Sequence, residues 1–369
     1  MKKKLSVSIN KKIEKFNKKI KIPGDKSCSI RTVLFASQCI GISKIKNLLE
    51  SEDVLNCINT LKTSLGVKII KKNNIYQVYG NGLNSFKYKK KIIKIYVGNS
   101  GTCARLLSGL LSTHPGKFYL YGDQSMNKRD FSRVTEPLEK IGAFFYPRNK
   151  KTLPLTIEGT SMPLAQKHIE NRGSSQIKGL ILMSALSTPG ITTIEEKKIS
   201  RNHTELLLKK INANIKVKKL KKGNLISLKG QKNLYGFDYT ISSDPSSAAF
   251  LIALTLLTPR SKSIIHNVLC NDTRIFFLKI LNKYNPKLLR QTLSRAARLY
   301  RRLHGRQSPV QMVGFARPKI IITRDHAPSF SKPSKRTATK IVKTKKSVKF
   351  SGGFDKSIIM SALEFYKLR

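Results

Sequence analysis

No stretch of the 369-residue chain approaches the roughly 18 consecutive apolar residues that a membrane-crossing helix needs. Its longest apolar runs, Phe250–Leu257 and Gly179–Leu186, have the length of buried core segments. The opening MKKKLSVSINKK is charged but has no apolar stretch after it, so no secretory signal is expected. Cysteine is sparse as well. Cys28, Cys39, Cys57, Cys103 and Cys270 show no CxxC spacing and are odd in number, which reads as free thiols in a reducing, cytoplasmic setting. The six histidines are dispersed, with no HExxH and no paired Cys/His spacing, so no metal centre is expected. The phosphate loop GxxxxGK[ST], the dinucleotide turn GxGxxG and the nucleophile elbow GxSxG are all missing. Cys28 and Cys103 fall at expected helix starts and read as small apolar fillers.

Acidic residues are the other scarcity. There are 20 Asp+Glu against 72 Lys+Arg, for a net charge of +52. Residues 1–285 carry +34 of it, as scattered lysines, and residues 286–369 carry +18, with Arg much more frequent. Such a charge steers anionic partners towards the chain. Small phosphorylated substrates and nucleic acid are both candidates. In residues 1–285 the lysines are scattered and not clustered, which favours plain decoration of solvated faces over a dedicated anion-binding surface. With 40% apolar and 25% charged residues, the composition is that of an ordinary globular protein, and its length suits two or three domains.

What is present is a repeat of about seventy residues. Copies start at Ile22, Val97, Asn171 and Ile241. Each opens with a polar turn able to cap a helix, at Asp25, Asn99, Ser174 and Asp244. An apolar helix follows, then a turn, a β-branched strand, an amphipathic helix and one or two further strands. Leu206, Leu207 and Ile211 illustrate the amphipathic spacing in the third copy. Ile275, Phe276, Leu278 and Leu281 do so in the fourth. The unit reads βαβαββ, and the fold class is therefore α/β. A helix N-terminus carries unpaired N–H groups and a partial positive charge. Several aimed at one cleft make a site for phosphates and carboxylates. Lys26, Arg31, Arg105, Arg129 and Arg201 lie beside these ends.

The segments Pro23-Gly24-Asp25-Lys26-Ser27-x-Ser29-x-Arg31, Gly98-Asn99-Ser100-Gly101-Thr102-x-x-Arg105, Ser174-Ser175-Gln176, Ser200-Arg201-x-His203-Thr204-Glu205 and Asp244-Pro245-Ser246-Ser247-Ala248 occur in that order. Together they resemble the 3-phosphoshikimate 1-carboxyvinyltransferase (5-enolpyruvylshikimate-3-phosphate synthase) family, over about residues 20–285. The resemblance implies an inverse α/β barrel of repeated βαβαββ units. It implies a transferase of the shikimate route to chorismate and aromatic amino acids. The 5-hydroxyl of shikimate 3-phosphate would add to C2 of phosphoenolpyruvate, and phosphate would leave. No cofactor is implied, and the partners would be these two small anions, taken up by a cytoplasmic monomer.

By the same resemblance, Lys26 contacts both substrates and is the catalytic candidate. Ser27 and Arg31 hold the shikimate ring and carboxylate. Ser174, Ser175 and Ser200 take the 3-phosphate, and Gln176 sits at the ring, in reach of both substrates. Asn99, Gly101, Thr102 and Arg129 take phosphoenolpyruvate, with Gly101 leaving room for the enol-phosphate. Residues 22–241 are expected to form a three-repeat domain. Residues 1–21 with 242–285 would belong to an incomplete second domain, and 286–369 to a basic, atypical tail. The tail holds the basic helical stretch LLRQTLSRAARLYRRLHGRQ and shows no counterpart of the family's Lys-Glu-x-Asp-Arg or Asp-His-Arg-x-x-Met motifs. A frameshifted, truncated or rearranged family member is the corresponding expectation. The rival readings are a basic nucleic-acid-binding protein and a sister enolpyruvyl transferase acting on a UDP-sugar.

Overall fold

A computed structural model describes residues 13–284, except 89, 150 and 259, together with the backbone of 319–324 and 346–351. The basic helical stretch expected between Leu288 and Gln307 lies outside the described residues, as does most of the tail. The chain divides into two compact units. Pro23–Ser242 make up the larger; 13–22 and the described residues from 243 onwards make up the smaller.

In chain order the first elements are β1 (Asn17–Ile20), α1 (Lys26–Ser37), β2 (Ile40–Lys46), α2 (Glu52–Thr63), β3 (Lys68–Lys72) and β4 (Ile75–Asn81). Next come β5 (Ile92–Tyr96), α3 (Gly101–Leu111), β6 (Gly116–Tyr121), the short α4 (Gln124–Asn127), α5 (Ser132–Glu139), β7 (Phe144–Tyr146) and β8 (Leu155–Gly159). The third run is β9 (Lys167–Glu170), α6 (Ser175–Ala185), β10 (Ile191–Glu196), α7 (His203–Lys210), β11 (Asn214–Lys219) and β12 (Asn224–Lys229). Then follow β13 (Asp238–Thr240), α8 (Pro245–Leu257), β14 (Lys262–Ile265), α9 (Phe276–Tyr284), β15 (Lys319–Arg324) and β16 (Lys346–Ser351).

The larger unit holds three four-stranded sheets of identical plan, ordered β13-β2-β4-β3, β5-β6-β8-β7 and β9-β10-β12-β11. In each, the first pair is parallel and the rest antiparallel. The first sheet is completed by β13, nearly two hundred residues downstream of β2, so the unit closes on itself through a long-range pairing. In the smaller unit the order is β1-β14-β15-β16, with β15 parallel to β14, which departs from the plan of the other three. There Ile22, Ile252, Ile265, Phe277 and Leu281 share an apolar core.

The inner helices α1, α3 and α6 are buried on nearly all sides. The sequences of α1 and α6 accordingly show little amphipathic patterning. The serines among them return their hydroxyls to their own helix: Ser37 to Leu34, Ser108 to Ala104 and Ser184 to Ile181. A buried hydroxyl is thereby satisfied without an outside partner. The outer helices bury most of the stripe expected from the sequence, with Leu207, Ile211 and Leu281 inside, but one expected position in each helix faces outwards. In α7 His203, Thr204, Glu205, Leu207 and Leu208 are buried, with Ile211 just beyond the helix end, while Leu206 is 46% exposed. In α9 it is Phe277 that is buried, while Phe276 is 52% exposed. Runs of consecutive apolar residues fit two helical faces, and only packing selects one.

A glycine recurs where each repeat closes. A Cβ at Gly80, Gly159 or Gly230 would lie 2.1, 2.1 or 2.0 Å from the carbonyl oxygen of Cys39, His114 or Thr188. The end of the last strand thus meets the end of the inner helix backbone to backbone. Gly159→Ala should cost about 1–3 kcal/mol, since neither backbone can retreat cheaply. Calorimetry would show a lowered melting temperature. An unchanged midpoint would contradict this packing account.

Candidate active site

Three helices of the larger unit start with the same device. The Asp25 carboxylate accepts the Cys28 N–H at 2.8 Å, Ser100 Oγ accepts the Cys103 N–H at 3.3 Å, and Ser174 Oγ accepts the Ile177 N–H at 3.3 Å. The second cap is therefore Ser100 and not Asn99. The Asn99 side chain instead accepts a hydrogen bond from Arg129. Asp244 caps α8 in the smaller unit through the Ser246 and Ser247 N–H groups.

Arg31 ties the first and third repeats together. It is 1% exposed, and its Nε donates to Thr204 Oγ1 at 2.9 Å. Nη1 reaches the Ser27 carbonyl and hydroxyl, and Nη2 reaches the Ser175 carbonyl at 3.2 Å. Burial lowers the Arg31 pKa, opposed by Cys28, Asp25 and Glu205. Gln176, next along α6, joins the third repeat to the second. It accepts from Arg105 Nη1 at 2.6 Å and donates to Thr102 Oγ1 at 3.0 Å.

Gly101 lies between two guanidinium groups. A Cβ there would stand 2.9 Å from Arg129 Nη1 and 3.1 Å from Arg105 Nη1. Burial first, then Arg129 and Arg133, pull the Arg105 pKa down, with Asp130 opposing. Crowded cations of this kind are relieved by an incoming anion. Lys26, at the start of α1, forms a 2.7 Å ion pair with Asp53 of α2, its side chain half exposed.

Contacts therefore run unbroken from Lys26 and Ser27 through Arg31, Ser175 and Gln176 to Thr102, Gly101, Arg129 and Asn99. Ser174 adjoins this line as the cap of α6. Ser200 stands on a neighbouring network. Its N–H and hydroxyl both donate to Glu196 Oε1, at 2.9 and 2.6 Å. Glu196 in turn pairs with Lys178, which also pairs with Glu205, each at 2.7 Å. Asp53, Lys178, Glu196 and the bridging role of Thr204 escaped the sequence reading. Lys178 had a visible signal: a lone cation at the head of the apolar run Gly179–Leu186.

Among the described residues, one set of side chains could approach a metal ion: Asp25, Cys28 and His203, whose ligating atoms lie within 4.8 Å of one another. Asp25 already serves as a helix cap, and Arg31 interacts with both Cys28 and Asp25. A dication there would be opposed by that buried guanidinium. The thiols of Cys28, Cys39, Cys57 and Cys103 are buried, Cys270 is half-buried, and burial pushes Cys39 up to about 12. That is a packing role and not a nucleophilic one.

The site and the repeats have clear relatives. The family model described as EPSP synthase (3-phosphoshikimate 1-carboxyvinyltransferase) matches residues 10–324. A 3-phosphoshikimate 1-carboxyvinyltransferase of Bartonella tribocorum is 38% identical over 264 residues, which is 71% of this chain and 59% of that protein. One from Bacillus cereus is 38% identical over 268 residues, covering 72% and 61%. The solved EPSP synthase of Acinetobacter baumannii superposes with a TM-score of 0.67 at 33% identity, covering 73% of this chain and 60% of that one. The chain thus spans about three-fifths of the length of these relatives. Three repeats of one plan, their shared helix-start cluster and the match over residues 10–324 lead to one conclusion: the chain belongs to the EPSP synthase family.

Proposed function

We propose that this chain binds shikimate 3-phosphate and phosphoenolpyruvate and transfers the carboxyvinyl group to the 5-hydroxyl, with release of phosphate. The observation that carries this reading is the linked cluster of Arg31, Arg105, Arg129 and Gln176 at the starts of α1, α3 and α6. Each substrate brings a carboxylate and a phosphate. Holding both needs fixed cations and helix N-termini to offset their repulsion.

Ser27 and Arg31 take the ring and carboxylate of shikimate 3-phosphate. Ser174, Ser175 and Ser200 take its phosphate, while Gln176 lies at the ring. Asn99, Gly101, Thr102 and Arg129 take phosphoenolpyruvate, and Lys26 contacts both. The 5-hydroxyl oxygen bonds to C2 and gives up its proton, while C3 takes up a proton as the double bond becomes single. Phosphate then departs with its C–O bond pair, and loss of a C3 proton restores the double bond. On this reading, residues 22–241 are one enolpyruvyl transferase domain, residues 1–21 with 242–285 are part of a second, and the protein works as a cytoplasmic monomer.

Phosphate release should require both substrates, and calorimetry should detect shikimate 3-phosphate binding alone. Lys26→Met should lower the release rate by roughly a hundredfold, the scale of one lost electrostatic contact in an active site. Equal rates in the two proteins, or no response to shikimate 3-phosphate, would overturn the assignment.

A further inference from the structure

We propose that Lys178 is a positioning residue: through Glu196 it keeps the Ser200 hydroxyl in reserve, ready to turn from Glu196 to the phosphate of the ligand. The inference rests on the reading above that this cluster binds shikimate 3-phosphate. Lys178 is fully buried, and its Nζ stands 2.7 Å from both Glu196 Oε1 and Glu205 Oε1. Glu196 and Glu205 are 1% and 4% exposed. Arg31 feels the charge of both Asp25 and Glu205, so Glu205 lies between two buried cations, Arg31 and Lys178.

Glu196 Oε1 is oversubscribed. It accepts from Lys178 Nζ at 2.7 Å, from the Ser200 N–H at 2.9 Å and from the Ser200 hydroxyl at 2.6 Å. Its other oxygen takes Asn224 Nδ2 at 3.0 Å. A carboxylate oxygen offers about two lone-pair sites, so one of its three donors is dispensable. Lys178 is fixed by two carboxylates and the N–H by the backbone. The hydroxyl alone turns about a single bond. Burial pushes the Glu196 pKa up, but the hydrogen bonds from Lys178, Ser200 and Asn224 outweigh it and hold the group ionised.

The placement suits a phosphate. Glu196 at the end of β10 is the register partner of Glu170 at the end of β9. Glu170 accepts the Arg172 and Ser174 N–H groups at 2.8 and 3.3 Å. The turn bearing Ser200 therefore lies beside the turn that starts α6. While its hydroxyl points at Glu196, Ser200 offers a phosphate only lone pairs. Once turned, it donates a charge-assisted hydrogen bond, and Lys178 with the Ser200 N–H still satisfies Glu196.

The test is calorimetric binding of shikimate 3-phosphate and of shikimate, which lacks the phosphate. Lys178→Met should weaken shikimate 3-phosphate about ten- to a hundredfold, the worth of one hydrogen bond to a charged group. Shikimate should bind as to the parent, and Lys178→Arg should restore most of the loss. Combined with Ser200→Ala, Lys178→Met should add little, because the two act on one interaction. Asn224→Ala covers the case in which Lys178→Met does not fold. Asn224 is half-buried, and its loss makes Glu196 hold Ser200 harder, so phosphate-ligand affinity should fall severalfold with shikimate unaffected. Equal losses for both ligands, additive effects with Ser200→Ala, or an Asn224→Ala protein that binds like the parent would each overturn the proposal. Failure of the parent chain to bind shikimate 3-phosphate would instead overturn the functional reading.

Discussion

Arg31→Met should cost the larger unit about 3–5 kcal/mol, the usual consequence of removing one partner from a buried charge network. The guanidinium is 1% exposed and donates to Thr204 at 2.9 Å and to the Ser175 carbonyl at 3.2 Å, besides its two contacts on Ser27. Its loss leaves acceptors on α1, α6 and α7 without their shared donor. It also leaves Asp25 and Glu205 without the charge that faces them. For a unit of this size the melting temperature should drop by roughly 6–20 °C. Arg31→Lys keeps the charge but cannot spread donors over three elements, so it should recover only part of the loss. Thermal denaturation of both proteins, with shikimate 3-phosphate binding measured well below their midpoints, checks this. A folded Arg31→Met protein with parental stability would refute the account of how the repeats are held together.

His168 sets the second large effect, a loss of stability in acid. It sits on β9 in register with Ile194, 7% exposed, and its Nε2 finds no hydrogen-bond partner among the described residues. Burial, and secondarily Lys140, drop its pKa from 6.5 to about 4. The unfolded chain therefore takes up a proton below pH 6.5 that the folded chain accepts only near pH 4. Between those values the unfolded state binds more protons, so stability falls as the pH is lowered through the window. The loss is complete below about pH 4 and absent above about pH 6.5. A shift of this size corresponds to about 3 kcal/mol. Urea denaturation at a series of pH values should show that decline in the parent. In His168→Leu it should be smaller by that amount, because the carboxylates common to both proteins cancel in the difference. Parallel curves would remove His168 as the source.

The two effects arise from different polar burial. Arg31 is buried with each of its three nitrogens hydrogen-bonded, so the danger lies in its removal. His168 is buried without such compensation, so the danger lies in its protonation.

The α/β class, the βαβαββ unit and the family were legible in the amino-acid order. Turn residues, caps and periodicity are local properties, and they recur in each copy within a few residues. Asp25 and Ser174 cap the helices they precede, as their types require. Local information failed where two neighbours offered equal chemistry. Ser100 caps α3 while Asn99 turns to Arg129, Leu206 falls outside the buried face that Leu207 and Ile211 do join, and Phe277 is buried in place of Phe276. The glycines that close each repeat, at 80, 159 and 230, stood in the sequence unremarked, because their role is defined by a carbonyl on another segment.

Sequence alone decided which groups are available: the repeat, the caps and the cations gathered near helix starts. Tertiary structure alone decided which of them meet. The pairing of β13 with β2, the reach of Arg31 from α1 to Thr204, and the enclosure of Lys178 between Glu196 and Glu205 join residues far apart along the chain. No local pattern encodes such partners. They are selected when packing removes water and leaves each buried charge and donor the nearest group able to satisfy it.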